Sequence, residues 1–335
     1  MSKIQLALEM GSSYTSIYVE GLGVVLKEPS KVAFLENISE RNIIEAGIKV
    51  KKMQGKTSDK TIIVSPINEG IIINTTAATA MLKAFLKKVL KGKFLLNVRA
   101  IVCVPCGLTR TQRKDYEDTC IKAGINEVIL VESVIAAGLG IGLPLESSKG
   151  VAVIDIGGGT TDIAVMSNSG IISGCSVFAG GIMMDAAIIE YIKKKYGLII
   201  GETTAEKLKI EIGSLYDNDL AESKVNGMNL KTQNPSYTVV TAKDIKEAIA
   251  PLYNKIADAA ESIINVCPPE IAADIYKNGI FLTGGAASVL GIEQFLGSRL
   301  KVSVKVVTDA SYAVILGAGK LLSDEQLLHS IFDQN

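Results

Sequence analysis

The amino-acid sequence predicts an α/β protein composed of two related halves that face each other across a cleft. Two observations support this prediction. A strand, a glycine-containing turn and a second strand occur in the same order twice, about half a chain apart, and strand-like and helix-like segments alternate after each copy. Such alternation is typical of sheets covered by helices. The 335 residues exceed one ordinary core, so two domains or more are expected.

The first half is predicted to begin with strands over residues 4–35, followed by a smaller unit at 36–76 with a helix near 43–51. Apolar residues at helical spacing predict a helix at 77–91, and they are Met81, Leu82, Phe85, Leu86 and Val89. The remaining elements of this half are a strand at 100–104, a polar helix at 109–123, a strand at 127–131 and a helix of small residues at 134–142.

The second half is predicted to repeat this order. Its elements are a hairpin at 151–173, a helix at 182–196, an inserted unit at 198–243, a helix at 244–265, a strand at 279–283, a helix at 288–299 and a strand at 302–307. A last helix at 317–328 is expected to return to the first half. The pattern predicts a duplicated mixed sheet with one insertion in each half.

The more regular glycine turn lies within residues 151–166, where an apolar run ends in Asp155 and a second one follows Thr160. The glycines between them are Gly157, Gly158 and Gly159. This order predicts a hairpin, in contrast to loops whose glycines open a helix. Glycines let backbone N–H groups approach an anion, so the turn is a candidate phosphate site, and Asp155 is a candidate ligand of hydrated Mg²⁺. The alternative is an ordinary glycine-rich turn.

The other copy lies within residues 4–19, where Glu9 occupies the place of Asp155. Its turn residues are Gly11, Ser12, Ser13, Tyr14 and Thr15. A third segment, residues 279–288, is a buried-type strand followed by a glycine pair and a predicted helix start. The pair, Gly284 and Gly285, gives a flat ligand base access to the backbone. Two phosphate turns and a glycine wall together predict a nucleotide clamp.

These segments resemble the phosphate-1, phosphate-2 and adenosine motifs of the actin, Hsp70 and sugar-kinase superfamily. Within it, nearly the whole chain resembles the MreB family of bacterial actin homologues, most closely at residues 23–32, 204–213 and 279–285. The resemblance implies a duplicated actin-like (ribonuclease H-like) fold, binding of ATP or ADP with Mg²⁺, and self-assembly into filaments that serve cell shape or motility. The absence of Trp beside abundant Ile, Lys and Asn is typical of mollicutes such as Spiroplasma.

The resemblance also implies four subdomains. Subdomain IA comprises residues 1–34, 77–144 and 312–335, IB comprises 35–76, IIA comprises 145–181 and 244–311, and IIB comprises 182–243. Several further residues are implied in nucleotide binding, namely Gly181, Glu206, Lys207, Lys209 and Ala286. If residues 205–213 are helical, Glu206 and Lys209 share a face. The family places this acid on the ribose hydroxyls and the lysine stem along the base, whereas a surface ion pair is the alternative.

The chain departs from the family pattern in the first phosphate turn and in the adenosine wall. Glu9 replaces Asp, Tyr14 replaces Asn, and Ala286 replaces the third glycine. One extra methylene still allows a carboxylate to approach hydrated Mg²⁺, because water ligands tolerate displacement. Tyr14 removes an amide from the turn and adds bulk.

The most consequential departure is Ser133, which replaces the glutamate that orients and deprotonates the attacking water in the family. A serine hydroxyl has no accessible base form at neutral pH, and general-base assistance is worth about 10²–10⁴-fold in rate. The neighbouring Glu132 points about 100° away on a helix. Thr160, the family's water-positioning threonine, is retained. The sequence therefore predicts an ATP-binding filament subunit with slow hydrolysis.

The composition indicates which classes of partner and which location are expected. Lys+Arg and Asp+Glu each number 35, so no global charge favours nucleic acid. Cys103 and Cys106 form a C-x-x-C that is expected to be a pair of buried thiols rather than a redox or metal site. No signal peptide and no transmembrane helix are expected. The predicted location is the cytoplasm, at the inner face of the cell membrane.

A membrane contact is predicted in the segment 91–97, where Phe94, Leu95 and Leu96 follow Lys91 and Lys93. Such apolar residues next to cations favour an interfacial contact that a filament would strengthen through avidity. The alternative is that they cover the core. Other filament or membrane proteins are further candidate partners.

Two alternative functions stay open. A small-molecule kinase of the same superfamily would need a carboxylate base for its acceptor hydroxyl and usually has larger insertions. A chaperone ATPase domain would need a substrate-binding module, and none is expected in the sixteen residues after Gly319.

Overall fold

Two five-stranded mixed sheets form the centre of the structure, a computed structural model that describes residues 3–57, 59–90 and 97–333. The strands are β1 (Lys3–Met10), β2 (Tyr14–Val19), β3 (Gly23–Pro29), β4 (Val32–Leu35), β5 (Ile43–Ala46), β6 (Thr61–Val64), β7 (Ile67–Asn68), β8 (Ile71–Ile72), β9 (Asn97–Val104), β10 (Glu127–Glu132), β11 (Val151–Ile156), β12 (Thr161–Ser167), β13 (Gly170–Val177), β14 (Leu198–Ile199), β15 (Glu222–Asn229), β16 (Pro235–Thr241), β17 (Ile280–Thr283) and β18 (Val304–Val306).

Helices connect and cover these strands. They are α1 (Ile48–Met53), α2 (Thr75–Leu90), α3 (Arg110–Lys122), α4 (Ser133–Gly140), α5 (Gly181–Tyr196), α6 (Glu202–Ile212), α7 (Ala242–Asn265), α8 (Pro269–Asn278), α9 (Ile292–Leu300), α10 (Ala313–Leu322) and α11 (Glu325–Asp333). Short 3₁₀ turns occur at Glu40–Asn42, Gly285–Ser288 and Ala310–Tyr312.

The two large sheets have the same topology. The first has the order β10-β9-β1-β2-β3 and the second has the order β18-β17-β11-β12-β13. In each sheet the first three strands in sequence are antiparallel neighbours, and the last two add in parallel on the other side. This arrangement confirms the predicted duplicated α/β fold.

Two helices lie between the sheets. α10 packs on β1 and β9, α4 packs on β11 and β12, and the two helices contact each other. Their approach is close because glycines face the partner's backbone: a Cβ at Gly317 would lie 1.7 Å from the Ala136 carbonyl oxygen, and one at Gly140 would lie 1.9 Å from that of Ala313. The apolar residues of α4, α10 and the inner sheet faces form one core, and a further core lies on the outer face of each sheet. Each half therefore has a well-packed sheet.

Each half carries an inserted unit. In the first, β4 pairs with β5 and β6, and α1 follows β5. In the second, α6 precedes the antiparallel pair β15 and β16, with β14 beside β15. These units bring α1 and α6 into side-chain contact with each other.

Local sequence explains several helix boundaries. α3 begins with a capping box in which the Thr109 side chain accepts from Gln112 N–H and the Gln112 side chain accepts from Thr109 N–H. Thr241 and Asp244 form the same arrangement at α7. At the end of α5, Gly197 adopts the left-handed conformation (φ 61°) that stops the helix.

Three predicted helices were wrong in extent. Residues 43–46 of the predicted helix 43–51 form β5, since Ile43, Glu45 and Ala46 pair with β4, and the helix starts only after Gly47 (φ 82°). The helix predicted at 288–299 begins after Gly291, which also has positive φ (82°). The single helix predicted at 317–328 is two helices, because the Asp324 side chain accepts from Leu327 N–H at 2.9 Å and starts α11.

Candidate functional site

A cleft of about 710 Å³ lies between the two halves. It is lined by both hairpin turns, by the turn after β17 and by one face of α6. All predicted site residues of the described chain line it except Thr15 and Lys207. Thr15 is buried beneath the first turn, 2.9 Å from the Ser30 hydroxyl, and Lys207 is exposed and pairs with Glu211 at 3.6 Å.

The two hairpin turns have the same hydrogen-bond geometry. Gly11 N–H donates to the Tyr14 carbonyl at 3.0 Å, and Gly157 N–H donates to the Thr160 carbonyl at 2.9 Å. The strand register is also the same, because Glu9 lies opposite Ser16 as Asp155 lies opposite Asp162. Tyr14 and Thr160 therefore occupy equivalent places in the two turns.

The turns face each other at close range. A Cβ at Gly158 would lie 2.1 Å from Ser13 Oγ, and one at Gly159 would lie 2.3 Å from Ser12 Oγ. Ser12 Oγ also accepts from Gly70 N–H at 3.1 Å, which fixes the first turn. Glycine is required at both positions because any side chain would force the turns apart.

The start of α5 supports the second turn. Gly181 N–H donates to the Gly157 carbonyl at 3.0 Å, and Ile182 N–H donates to the Gly158 carbonyl at 2.8 Å. These bonds satisfy amides that a helix N-terminus leaves without partners. The turn carbonyls of Gly157 and Gly158 are thereby fixed against the start of α5.

The third wall follows β17. Gly284 has φ 87°, and a Cβ there would lie 2.3 Å from the Ile156 carbonyl oxygen, so this turn packs directly on the end of β11. Gly285 and Ala286 continue along the cleft in a 3₁₀ turn. Tyr253 of α7 donates to the Ala286 carbonyl at 2.9 Å and holds the turn in place. The predicted helix start at this position is a 3₁₀ turn.

Three carboxyl groups line the cleft, and of these Asp155 and Asp162 are buried and Glu9 is half-buried. Burial and, to a lesser extent, the negative charge of Asp155 together raise the pKa of Glu9 to about 7. Burial raises the pKa of Asp155 to about 6, although a hydrogen bond from Thr283 at 2.9 Å opposes the shift. Burial and the charge of Asp155 raise the pKa of Asp162 to about 7. Desolvation and mutual repulsion thus disfavour their charged forms.

Glu9 and Asp155 fit the requirements of a magnesium site. Mg²⁺ prefers carboxylate oxygens and retains several water ligands, and its charge would offset the repulsion between the two groups. Lys27 of β3 also lies near Glu9, and burial lowers its pKa while the charge of Glu9 raises it. Its ammonium donates to the Ser311 carbonyl at 2.6 Å, which holds it at the edge of the cleft.

α6 places Glu206 and Lys209 on the cleft, as the predicted spacing requires. The Lys209 ammonium donates to the Gly181 carbonyl and pairs with Asp185 of α5, both at 2.7 Å. Glu206 pairs with Lys51 of α1 at 2.7 Å. The alternative of an ion pair between Glu206 and Lys209 is therefore wrong, since each binds a different partner.

Ser133 is the first residue of α4 and lies buried against the cleft, as does Thr160. The preceding Glu132 forms an ion pair with Arg113 of α3. Glu132 is not among the residues that line the cleft, and its charge is neutralised by the arginine. Glu132, the carboxylate next to Ser133 in the sequence, therefore does not replace the glutamate that the family has at position 133.

Several cleft residues were missed by sequence reasoning. Asp162 follows the glycine turn by two residues and carried a usable signal, because strand alternation places it beside Asp155. Thr283 precedes the glycine pair and orients Asp155. Lys27 and Asp185 gave no local signal, because long-range packing alone brings them to the cleft, and the same holds for Lys51, the partner of Glu206.

The thiols of Cys103 and Cys106 are buried, as predicted, and burial raises the pKa of both. The predicted membrane residues Phe94, Leu95 and Leu96 lie outside the described residues. Over residues 3–57, 59–90 and 97–333, no helix combines the length and the apolar character needed to cross a bilayer.

Known proteins resemble this chain over almost its whole length. The family model for MreB/Mbl protein matches residues 3–330. The cell shape-determining protein MreB of Haemophilus influenzae is 38% identical over 323 residues, which cover 95% of this chain and 92% of the relative. The crystal structure of MreB5 of Spiroplasma citri bound to AMPPNP is similar with a TM-score of 0.91 at 29% identity, covering 99% of both chains. The ADP-bound structure of MreB5 gives a TM-score of 0.90 at 29% identity, covering 100% of this chain and 99% of that one.

Proposed function

Because the chain belongs to the MreB/Mbl family, we propose that it is an actin-like cytoskeletal subunit that binds ATP and ADP and polymerises under the control of the nucleotide. The observation that carries this proposal is the pair of matching turns, whose glycines and serines face each other across one cleft. The turns would cradle the phosphates, the Gly284 wall would take the base, and Glu206 would bind the ribose. MreB5 of Spiroplasma citri, bound to AMPPNP or ADP, supports the assignment.

Mg²⁺ is the proposed companion of the phosphates. Glu9 and Asp155 would hold it through water, and its charge would neutralise phosphate oxygens. The position of both carboxyls in the cleft, with Asp155 buried and Glu9 half-buried, supports this role. Hydrolysis is proposed to be slow, because Ser133 supplies no base and Glu132 is engaged by Arg113.

The subdomain division and the cellular role are proposals that rest on membership of the family. The four-subdomain division stated above is one of them, and a role in cell shape is another, which the name of the Haemophilus influenzae relative supports. We also propose attachment to the inner face of the membrane through Phe94, Leu95 and Leu96, on the apolar sequence alone.

Nucleotide binding and assembly are tested together. Titration calorimetry with Mg·ATP should give saturable binding, and ATP should increase the sedimentable fraction, with protofilaments visible by electron microscopy. No heat and no thermal shift with Mg·ATP would contradict the proposal. Phosphorylation of a sugar in a panel, without protofilaments, would instead favour a small-molecule kinase.

Two glycine variants, one in a turn and one as a control, test whether the two facing turns bind the nucleotide. Gly158→Ala should abolish binding, because its Cβ would force the two turns apart. Gly201→Ala is the control, since a Cβ there would meet no atom within 4 Å and its φ is negative. Adding Ser13→Gly to Gly158→Ala should restore part of the binding, because it removes the nearest clashing atoms. Unchanged affinity in Gly158→Ala would show that the phosphates bind elsewhere.

A further inference from the structure

The two inserted units touch each other across the mouth of the cleft. Lys51 of α1 approaches both carboxylate oxygens of Glu206 in α6, at 2.9 and 2.7 Å. One turn further along the contact, the Gln54 amide donates to the Glu202 carboxylate at 2.7 Å. These two side-chain contacts bridge the halves at the end of the cleft opposite to α4 and α10.

Each helix is fixed to its own half. At the start of α1, Ile48 N–H donates to a Glu28 carboxylate oxygen at 3.0 Å, and Lys88 of α2 pairs with the same side chain at 2.9 Å. α6 is held by the Lys209 contacts with Gly181 and Asp185. Because both helices are fixed in this way, separation of the halves at the mouth of the cleft breaks the contact between Lys51 and Glu206.

Lys51 also reaches the first phosphate turn. Its ammonium donates to the Tyr14 hydroxyl at 3.4 Å and lies 5.5 Å from the centre of the tyrosine ring. Tyr14 stands where the family commonly has Asn, so this contact gives a structural role to that departure. The Lys51 ammonium thus connects α1 to Tyr14 of the first turn and to Glu206, the proposed ribose ligand.

We propose that Lys51 is a positioning residue of the nucleotide site, which holds Glu206 from the opposite wall, with Tyr14 as its second acceptor, and retards nucleotide release by keeping the mouth closed. This inference rests on the proposed binding of nucleotide. A carboxylate has about four lone-pair sites, so Glu206 retains acceptor capacity for ribose hydroxyls while it binds Lys51. The bound nucleotide and the ion pair between Lys51 and Glu206 would then both favour the arrangement in which α1 and α6 close the mouth of the cleft.

The expected effect is modest. The side chains of Lys51 and Glu206 are 24% and 29% exposed, so solvent screens the pair in part. Ion pairs of this kind change an equilibrium about twofold to fivefold. Because a departing nucleotide must pass between α1 and α6, the change should appear mainly in the dissociation rate.

The experiment is stopped-flow release of a fluorescent ATP analogue from the full-length protein, chased with excess unlabelled Mg·ATP. Lys51→Ala should release the analogue about two to five times faster, with a smaller change in the association rate, and Lys51→Arg should stay close to wild type. The matched control is Lys52→Ala, which removes the same charge from the next residue of α1. Lys52 is exposed and has no side-chain partner among the described residues.

Gln54→Ala is a second variant that removes the other contact across the mouth, and it should also accelerate release. Thermal unfolding without nucleotide checks that each variant is folded. Wild-type binding combined with unchanged release from Lys51→Ala would overturn this inference alone, whatever the rate for Gln54→Ala. Absence of saturable binding by the wild-type protein would overturn the proposed function, and this inference with it.

Discussion

At Ser133 a short hydroxyl faces the cleft where the family has a carboxylate. Ser133→Glu should therefore increase steady phosphate release, by about tenfold or more, if Thr160 still positions the water. Restoration should be partial, because Glu9 and Tyr14 also differ from the family pattern. Phosphate release in the presence of Mg·ATP measures the effect.

Ser133→Gln is the control for this prediction, since it has the length of glutamate without a base. Equal stimulation by glutamine and glutamate would show that side-chain size matters and not proton transfer. A wild-type rate as high as that of an MreB with the glutamate would show that another group serves as the base.

The buried Asp162 should make the free energy of unfolding depend on pH. Its pKa is raised from 3.8 to about 7, so the folded protein holds this proton more tightly than the unfolded chain does. The stabilisation is complete below about pH 3.8 and is lost as the pH rises through about 7. Asp162→Asn has no proton to lose, and its amide oxygen still accepts from Cys106 N–H, as Asp162 does at 3.1 Å.

Between pH 5 and pH 8, the free energy of unfolding of the wild type should therefore fall by about 2–3 kcal/mol more than that of Asp162→Asn. Urea unfolding without Mg²⁺ or nucleotide measures the difference, and Asp59→Asn, at an exposed position, is the control. Parallel pH profiles for wild type and Asp162→Asn would contradict the assignment.

At the scale of elements, sequence patterns located strands and turns better than helix ends. The β-branched runs and glycine turns predicted both hairpins, because strand alternation and turn geometry are local properties. The helix predicted near 43–51 was wrong in extent because β5 pairs with β4, and nothing local distinguishes such isoleucines from a helix face. Glycine identity located the two facing turns, whereas Lys27 reaches the cleft, and Lys51 reaches Glu206, only through contacts between distant segments.

The membrane contact proposed for the segment 91–97 rests on the sequence alone and can be tested. Leu95→Ser combined with Leu96→Ser should abolish sedimentation of the polymerised protein with anionic liposomes, while nucleotide affinity stays unchanged. Polymer should bind more than monomer, because one segment alone binds weakly. Leu220→Ser is the control, since Leu220 is 92% exposed in another part of the chain. Unfolding or loss of nucleotide binding in the double variant would instead place these leucines in the core.

At the scale of the whole molecule, the contact between α4 and α10 joins the halves. Gly317→Ala should lower the free energy of unfolding by at least about 1–3 kcal/mol, because the added methyl would lie 1.7 Å from a backbone oxygen and the helices must separate. Urea unfolding measures this, and Gly201→Ala serves as the control. A variant as stable as wild type would show that the two helices can separate without loss of core packing.

The same contact has a mechanical consequence. The molecule is stiff at the end where α4 and α10 meet backbone to backbone, and compliant at the end where only polar side chains bridge α1 and α6. Its softest deformation is therefore a rotation of one half against the other about the stiff end, and the amplitude of that rotation grows with distance from it. In the proposed polymer, such a rotation would move the outer surfaces of each half, so a change in the cleft would alter the surfaces offered to neighbouring subunits.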